Sequence, residues 1–143
     1  MVKLSNPPLP TDIENAIHYW LDLLAEGKYT EAFEYTVHDP YYAWTPILLE
    51  KVINGYGLPD ENEDAHKYSV TKWNEAVTNG RARYKEVIFY DKHGGYKNGD
   101  FLTIGEARYD LPLDGEWSDL TAIFAIMQAK DFTTLELNDI HVL

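Results

Sequence analysis

The side chains best suited to acid–base chemistry lie near the C-terminus, at Asp139 and His141. The segment from Phe132 to Val142 has the pattern of a strand, so two residues that are two apart share a face. A carboxylate beside an imidazole fixes the tautomer of the ring and raises its basicity. Three leucines have the same spacing: Leu135, Leu137 and Leu143. We therefore expect this face of the strand to be buried.

Asp119 is the third candidate residue, because it precedes a nearly continuous apolar run and can place a carboxylate at its start. A structural role is the alternative for each candidate. Ser118 and Asp119 are typical of a turn and a strand start, with Trp117 filling the core. Asp139 and His141 can satisfy local hydrogen bonds at the end of a sheet. The sequence alone therefore assigns none of them a catalytic role.

The aromatic cluster Tyr41, Tyr42 and Trp44 can line a pocket or a protein interface, since tyrosine and tryptophan combine a large apolar surface with a polar tip. The alternative is a loop packed over the edge of the sheet. The five histidines are scattered without the spacing of a zinc site. The phosphate-binding glycine motifs and the G-x-S-x-G elbow are also missing from the sequence. We expect no metal and no cofactor.

The composition excludes several classes of function. The chain has 143 residues, no cysteine and a formal charge of −12. Such an acidic chain lacks the basic face that nucleic acids and anionic membranes require. Its apolar runs are shorter than the ~20 residues of a membrane span, and its N-terminus lacks the apolar region of a secretion signal. We expect a soluble, cytoplasmic protein with one domain over residues 1–143.

The first half of the chain has helical patterns and most of the net negative charge, since residues 1–66 contain twelve acids and three bases. Residues 1–10 form an extended lead-in. Thr11 to Glu14 resembles a capping box before a first helix that ends near Gly27. A second helix is predicted over Thr30 to Thr36. Thr45 and Pro46 begin a third, which Gly55 ends, before an acidic loop over residues 59–64.

The second half of the chain has strand patterns. Tyr68 to Trp73 and Ala82 to Tyr90 are predicted to form a hairpin through the turn Asn79-Gly80. A connection over residues 93–100 leads to a strand from Phe101 to Asp110, and residues 111–116 form a loop or bulge. Leu120 to Gln128 is apolar on both faces, so we expect it in the centre of the sheet.

Helices followed by mostly antiparallel strands predict an α+β fold, with helices packed on a curved sheet of 4–5 strands. This order over residues 11–143 resembles the NTF2-like (cystatin-like) superfamily, in which helices and sheet form a cone that often holds a pocket. The stretches Leu111 to Thr121 and Asn138 to Leu143 also resemble a bacterial domain family to which no activity is assigned. The NTF2-like resemblance implies that a homodimer can form through the open face of the sheet.

Three functions remain open. A non-catalytic domain that binds a small molecule or a protein partner is preferred over an enzyme. One alternative is an acidic, immunity-type protein that neutralises a basic toxin. The other, which the NTF2-like resemblance implies, is a small isomerase or dehydratase that uses Asp119, Asp139 or His141 for proton transfer. The expected ligand-binding residues are five aromatic and two polar ones: Tyr41, Tyr42, Trp44, Tyr109, Trp117, Asp119 and His141.

Overall fold

The computed structural model describes residues 1–59, 64–80, 82–91 and 97–143. The elements in chain order are α1 (Pro10–Ala25), α2 (Tyr29–Tyr35), β1 (Val37–His38), α3 (Pro46–Asn54), β2 (Lys85–Phe89), β3 (Lys97–Asn98), β4 (Phe101–Leu113), β5 (Glu116–Gln128) and β6 (Thr133–Val142). The chain therefore has the α+β class that the sequence predicts. No helix of the described residues is long and apolar enough to span a membrane.

The strands form one open sheet in the order β1-β6-β5-β4-β2, and the short β3 also pairs with β4. The β1–β6 pair is parallel and the other pairs are antiparallel. The central position of β5 confirms the prediction from its apolar run. Leu120 and Phe124 are buried on one face of β5, and Ala125 and Met127 are buried on the other.

The core lies between the helices and one face of the sheet. The apolar residues of α1 recur at helical spacing, so they form one stripe that packs inward. Trp20 of this stripe meets Phe124 of β5 edge-on, with ring centroids 5.1 Å apart, and both side chains are fully buried. This layer fixes α1 against the sheet and so positions the polar residues that border its apolar stripe.

The helix starts agree with the sequence at α3 and differ from it at α1. Thr45 is the N-cap of α3, and its side chain accepts a hydrogen bond from the Leu48 N–H at 3.0 Å. At α1 the N-cap is Leu9, two residues before the predicted Thr11. Pro10 suits the first helical position because it has no N–H to satisfy. The Asp12 carboxylate accepts from the Leu9 N–H at 2.8 Å, the role that was expected of Glu14.

The predicted hairpin through Asn79-Gly80 is wrong. Within residues 64–80 there are isolated bridges and no strand: Val70 pairs with Leu113, and Val77 pairs with Glu116. The aromatic residues of this segment serve packing, while its backbone follows the end of the β4–β5 hairpin. The predicted loop over residues 111–116 is shorter than expected, because β4 continues to Leu113 and turns at Asp114-Gly115.

Residues 60–63 of the predicted acidic loop and residues 93–96 of the predicted connection lie outside the described residues, and residues 97–98 of that connection form β3.

Candidate functional site

A polar cluster joins α1, β4 and the segment before β2 through the hydroxyl of Tyr109. The Tyr109 oxygen lies 2.6 Å from His18 Nε2 and 3.0 Å from Arg83 Nη1. A guanidinium only donates, so the tyrosine oxygen accepts from Arg83. The bond to His18 suits either tautomer, because the hydroxyl can donate to Nε2 or accept from Nε2–H. Three distant parts of the chain thus share one hydroxyl group.

Two tryptophans flank this cluster. The Trp73 ring stacks on the His18 ring, with centroids 3.8 Å apart and planes 6° apart. The Arg83 guanidinium lies 4.5 Å from the centroid of Trp117 and 5.4 Å from that of Tyr109. A cation over the face of an aromatic ring is attracted by the quadrupole of the ring. The stacking therefore holds both the imidazole and the guanidinium in defined positions.

The elements explain why these residues meet. His18 borders the apolar stripe of α1, and Tyr109 points from β4 towards the helices, since it pairs with Ala122 of β5, whose side chain belongs to the core. Hydrogen bonds tie the connecting segment to β4. Thr71 donates its N–H to the Pro112 carbonyl at 2.8 Å, and Asp110 donates its N–H to the Tyr84 carbonyl at 3.0 Å.

Burial sets the protonation states in the cluster. Burial raises the pKa of Tyr109 to about 12, although the charge of Arg83 opposes this shift. Burial also lowers the pKa of His18 below 6.5, and Arg83 acts in the same direction. Near pH 7 the tyrosine is therefore protonated and the histidine is neutral. The cluster can hold and pass a proton without carrying a negative charge of its own.

Arg83 provides positive charge that no carboxylate of the described residues neutralises at short range. Among residues 1–59, 64–80, 82–91 and 97–143, no acidic oxygen lies within 4.0 Å of its guanidinium nitrogens. The nearby Glu14 pairs instead with Lys85, at 3.5 Å. A guanidinium that lies on an aromatic ring and lacks a carboxylate partner is suited to receive an anion.

The structure brings two of the predicted ligand-binding residues, Tyr109 and Trp117, into this cluster. It places Asp119 elsewhere, since the carboxylate accepts a hydrogen bond from the Tyr56 hydroxyl, and the Asp119 N–H donates back to that oxygen at 3.3 Å. Tyr56 lies in the turn after α3 and packs on Tyr68. Asp119 therefore anchors this turn to the start of β5.

Asp139 and His141 form the expected pair, with Asp139 Oδ2 2.6 Å from His141 Nδ1. The prediction that they share the buried face of Leu135 and Leu137 is wrong. Leu137 pairs with Phe124 and Asp139 with the adjacent Ile123, so the strand has a bulge at the residue between them. The bulge turns both polar side chains to the outer face, where they are 31% and 43% exposed.

The cluster Tyr41, Tyr42 and Trp44 does not converge on one site. Tyr41 is 85% exposed, whereas Trp44 is buried and donates its indole N–H to the Asn138 carbonyl at 3.1 Å. Trp44 thus holds the loop against β6, in agreement with the alternative of a loop packed on the sheet.

Sequence reasoning missed His18, Arg83 and Trp73. The one local feature that could have pointed to the cluster was the position of His18 beside the apolar stripe of α1. Nothing in the sequence around Arg83 or Trp73 separates them from other residues of a polar connection. In the described part of the chain, no group of three or more histidine, aspartate or glutamate side chains is arranged to hold a metal ion.

Comparisons with protein-family models, with curated proteins and with solved structures find no match to this chain. The chemistry of its own side chains is therefore the basis on which a function can be proposed.

Proposed function

We propose that the chain is an NTF2-like domain that binds a small organic anion with a flat apolar body, without transforming it. The observation that supports this proposal is the guanidinium of Arg83, which lies on Trp117, bonds to Tyr109 and has no carboxylate partner in the described residues. The anionic group of the ligand pairs with Arg83, and its apolar body packs against the tryptophans.

The hydrogen-bonding capacity of Arg83 supports a carboxylate as the anionic group. The guanidinium has five N–H groups in a planar fork, and Tyr109 uses one of its nitrogens. The others can form the paired hydrogen bonds that suit a carboxylate. Since the chain has a formal charge of −12, its overall field repels anions. Affinity for an anion therefore depends on the local charge of Arg83.

Benzoate is the probe that tests the site, because it joins a carboxylate to a flat ring. Isothermal titration of the protein with benzoate is expected to give saturable binding. Arg83→Gln should weaken it about tenfold, which corresponds to the loss of one charge-assisted contact of about 1.4 kcal/mol. Arg108→Gln is the matched control, because this arginine pairs with Glu106 at 3.3 Å and should leave the affinity unchanged.

Benzyl alcohol separates anion binding from simple apolar binding. Equal affinity for benzyl alcohol and benzoate, or equal loss of affinity in both arginine variants, would contradict the proposal. Native mass spectrometry of the purified protein beside a denatured sample gives a second test. An acidic passenger that is lost in Arg83→Gln would identify the natural ligand class.

A second candidate function, proton transfer, is favoured by the 2.6 Å contact between His18 and Tyr109. When Nε2–H donates to Tyr109, the lone pair of His18 is on Nδ1, so the neutral ring can take a proton there. Deuterium exchange at the α-carbons of 3-oxocyclohexanecarboxylate, followed by NMR, tests this activity. Exchange that is faster than the buffer rate and is lost in His18→Gln supports catalysis, and exchange at the buffer rate supports binding alone.

A further inference from the structure

A concave feature lies beside α1 and α2, and its lining includes none of the residues of the arginine cluster. A cleft of about 480 Å³ opens between α1, α2 and the first residues of the chain. Its lining includes Tyr19 and Leu23 of α1 and three residues of α2, Glu31, Glu34 and Tyr35. A hydrogen bond of 2.8 Å from the Val2 N–H to the Tyr35 carbonyl joins the first residues of the chain to α2.

The cleft has two exposed carboxylates on one side. Glu31 and Glu34 are three residues apart on α2, so they lie on neighbouring turns of one helix face. Within the described ranges, neither carboxylate has a lysine, arginine or histidine nitrogen within 4.0 Å. The nearest base along the chain, Lys28, pairs with Glu26 at 3.0 Å. Lys28 acts on Glu31 only at longer range, so neither glutamate of the cleft is held in a close ion pair with a described residue.

The cleft also has an aromatic wall. The rings of Tyr19 and Tyr35 lie 5.1 Å apart with their planes tilted by 33°. Tyr19 is 55% exposed, and the buried Leu23 lines the cleft beside it. Burial raises the pKa of Tyr35 to about 12, so this ring stays uncharged at neutral pH. Uncharged tyrosine faces attract cations, and carboxylates beside them add to that attraction.

We propose that this cleft receives an arginine or lysine side chain from a basic protein partner. The apolar stem of the side chain packs along Leu23 and the tyrosines, and its cationic head reaches the two glutamates. The charge of the surrounding half of the chain supports a basic partner, since residues 1–66 contain twelve acids and three bases. A surface of one sign speeds encounter with a partner of the other sign.

This inference is independent of the proposed anion site, because the two sites share no residue. The probe is a hexa-arginine peptide, with a hexa-citrulline peptide of nearly the same shape and no charge as its control. The protein is titrated with each peptide while backbone and tyrosine-ring NMR signals are followed. We expect saturable shifts that centre on Tyr19, Glu31, Glu34 and Tyr35 for hexa-arginine alone.

Matched variants separate the cleft from general charge attraction. Glu31→Gln with Glu34→Gln should weaken hexa-arginine binding at least about tenfold. Glu75→Gln with Asp131→Asn makes the same change in net charge at exposed positions of the second half and should change the affinity less than about twofold. Tyr19→Leu should weaken binding about threefold, whereas Tyr41→Leu at another exposed tyrosine should have no effect.

Several results would overturn the inference. Equal weakening by the two charge variants would contradict it, and so would equal binding of hexa-citrulline or shifts centred outside the cleft. The absence of saturation up to 1 mM peptide would also contradict it, because that concentration is about a thousandfold above a micromolar dissociation constant. Self-association of the protein through this face, seen as concentration-dependent shifts of the same residues without peptide, would assign the cleft to a second copy and also overturn it. Arg83→Gln should leave the peptide affinity unchanged.

Discussion

At the scale of single residues, the Tyr109 hydroxyl is the point on which the candidate site depends. Tyr109→Phe leaves the ring in place and removes the partner of both His18 and Arg83. We expect the free energy of unfolding to fall by about 1–3 kcal/mol, because two partly buried polar groups lose a hydrogen bond. Urea denaturation at pH 7 measures this change. Tyr42→Phe, at an exposed hydroxyl, is the control and should leave stability unchanged.

Glu136 is a second residue whose environment has a measurable consequence. It is fully buried on β6, and its Oε2 accepts from Asn98 Nδ2 at 2.6 Å, while its Oε1 has no hydrogen-bond partner in the described part of the chain. Burial raises the pKa of Glu136, and the charge of Asp39 adds to the shift, although the bond from Asn98 opposes it. The neutral form of this carboxyl group is therefore favoured more in the folded protein than in the unfolded chain.

This preference predicts the effect of Glu136→Gln on stability. A carboxyl group with a raised pKa in the folded state stabilises the fold below the unfolded pKa, near 4.5, and that stabilisation is lost as the pH rises through the folded pKa. We expect the variant to match the wild type near pH 4 and to exceed it at pH 8 by on the order of 1 kcal/mol. Urea denaturation at both pH values measures the difference. A difference that is the same at the two pH values would contradict this assignment.

At the scale of elements, the pairing of β2 with β4 depends on a close approach at Gly105. Gly105 follows a register shift in β4 and pairs with Phe89 of β2. A Cβ at this position would overlap the Ile88 carbonyl oxygen and come within 3.2 Å of the Phe89 Cα. Because both contacts are with backbone, no side-chain rotation relieves them.

Gly105→Ala should therefore destabilise the protein by about 3 kcal/mol or more. Gly80→Ala is the control, because no heavy atom lies within 4 Å of its added Cβ and its positive φ of 70° is the main source of strain. That strain is expected to cost about 1–2 kcal/mol. Thermal unfolding compares the two variants, and hydrogen exchange should show faster exchange of β2 amides in Gly105→Ala. An equal cost at the two glycines would rule out the close approach as the cause.

The elements that sequence patterns predicted best are those with a local physical signature. Thr45 and Pro46 begin α3 because a hydroxyl acceptor and a residue without N–H both suit a helix start. The pattern failed at Tyr68 to Trp73, where aromatic residues pack without a strand ladder. A strand requires a partner strand, and nothing in the local sequence specifies whether one is adjacent.

At the scale of the whole molecule, the homodimer implied by the NTF2-like resemblance stays a prediction. The edge strand β2 presents Ile88 on the outer face of the sheet, and Tyr84 and Tyr90 flank that strand; these side chains are 40%, 37% and 43% exposed. If this face forms a dimer, Ile88→Glu should change the mass measured by light scattering from that of a dimer to that of a monomer. The measurement is made at about 100 µM, a concentration at which even dimers with a micromolar dissociation constant are populated. Ile47→Glu, at a more exposed residue of α3, should leave the mass unchanged. A monomer in the wild type at this concentration would contradict the prediction.

The α+β class, the three helices and the four longer strands follow from the sequence alone, because helical stripes, strand alternation and turn residues act over a few neighbouring positions. The acidity of the helical half is likewise a property of composition. The site depends on the tertiary structure. His18 and Tyr109 are 91 positions apart, and Arg83 is 26 positions from Tyr109, so no local pattern relates them. One bulged residue in β6 also moves Asp139 and His141 to the opposite face, since side-chain direction reverses at every residue of a strand and a single insertion changes all that follow.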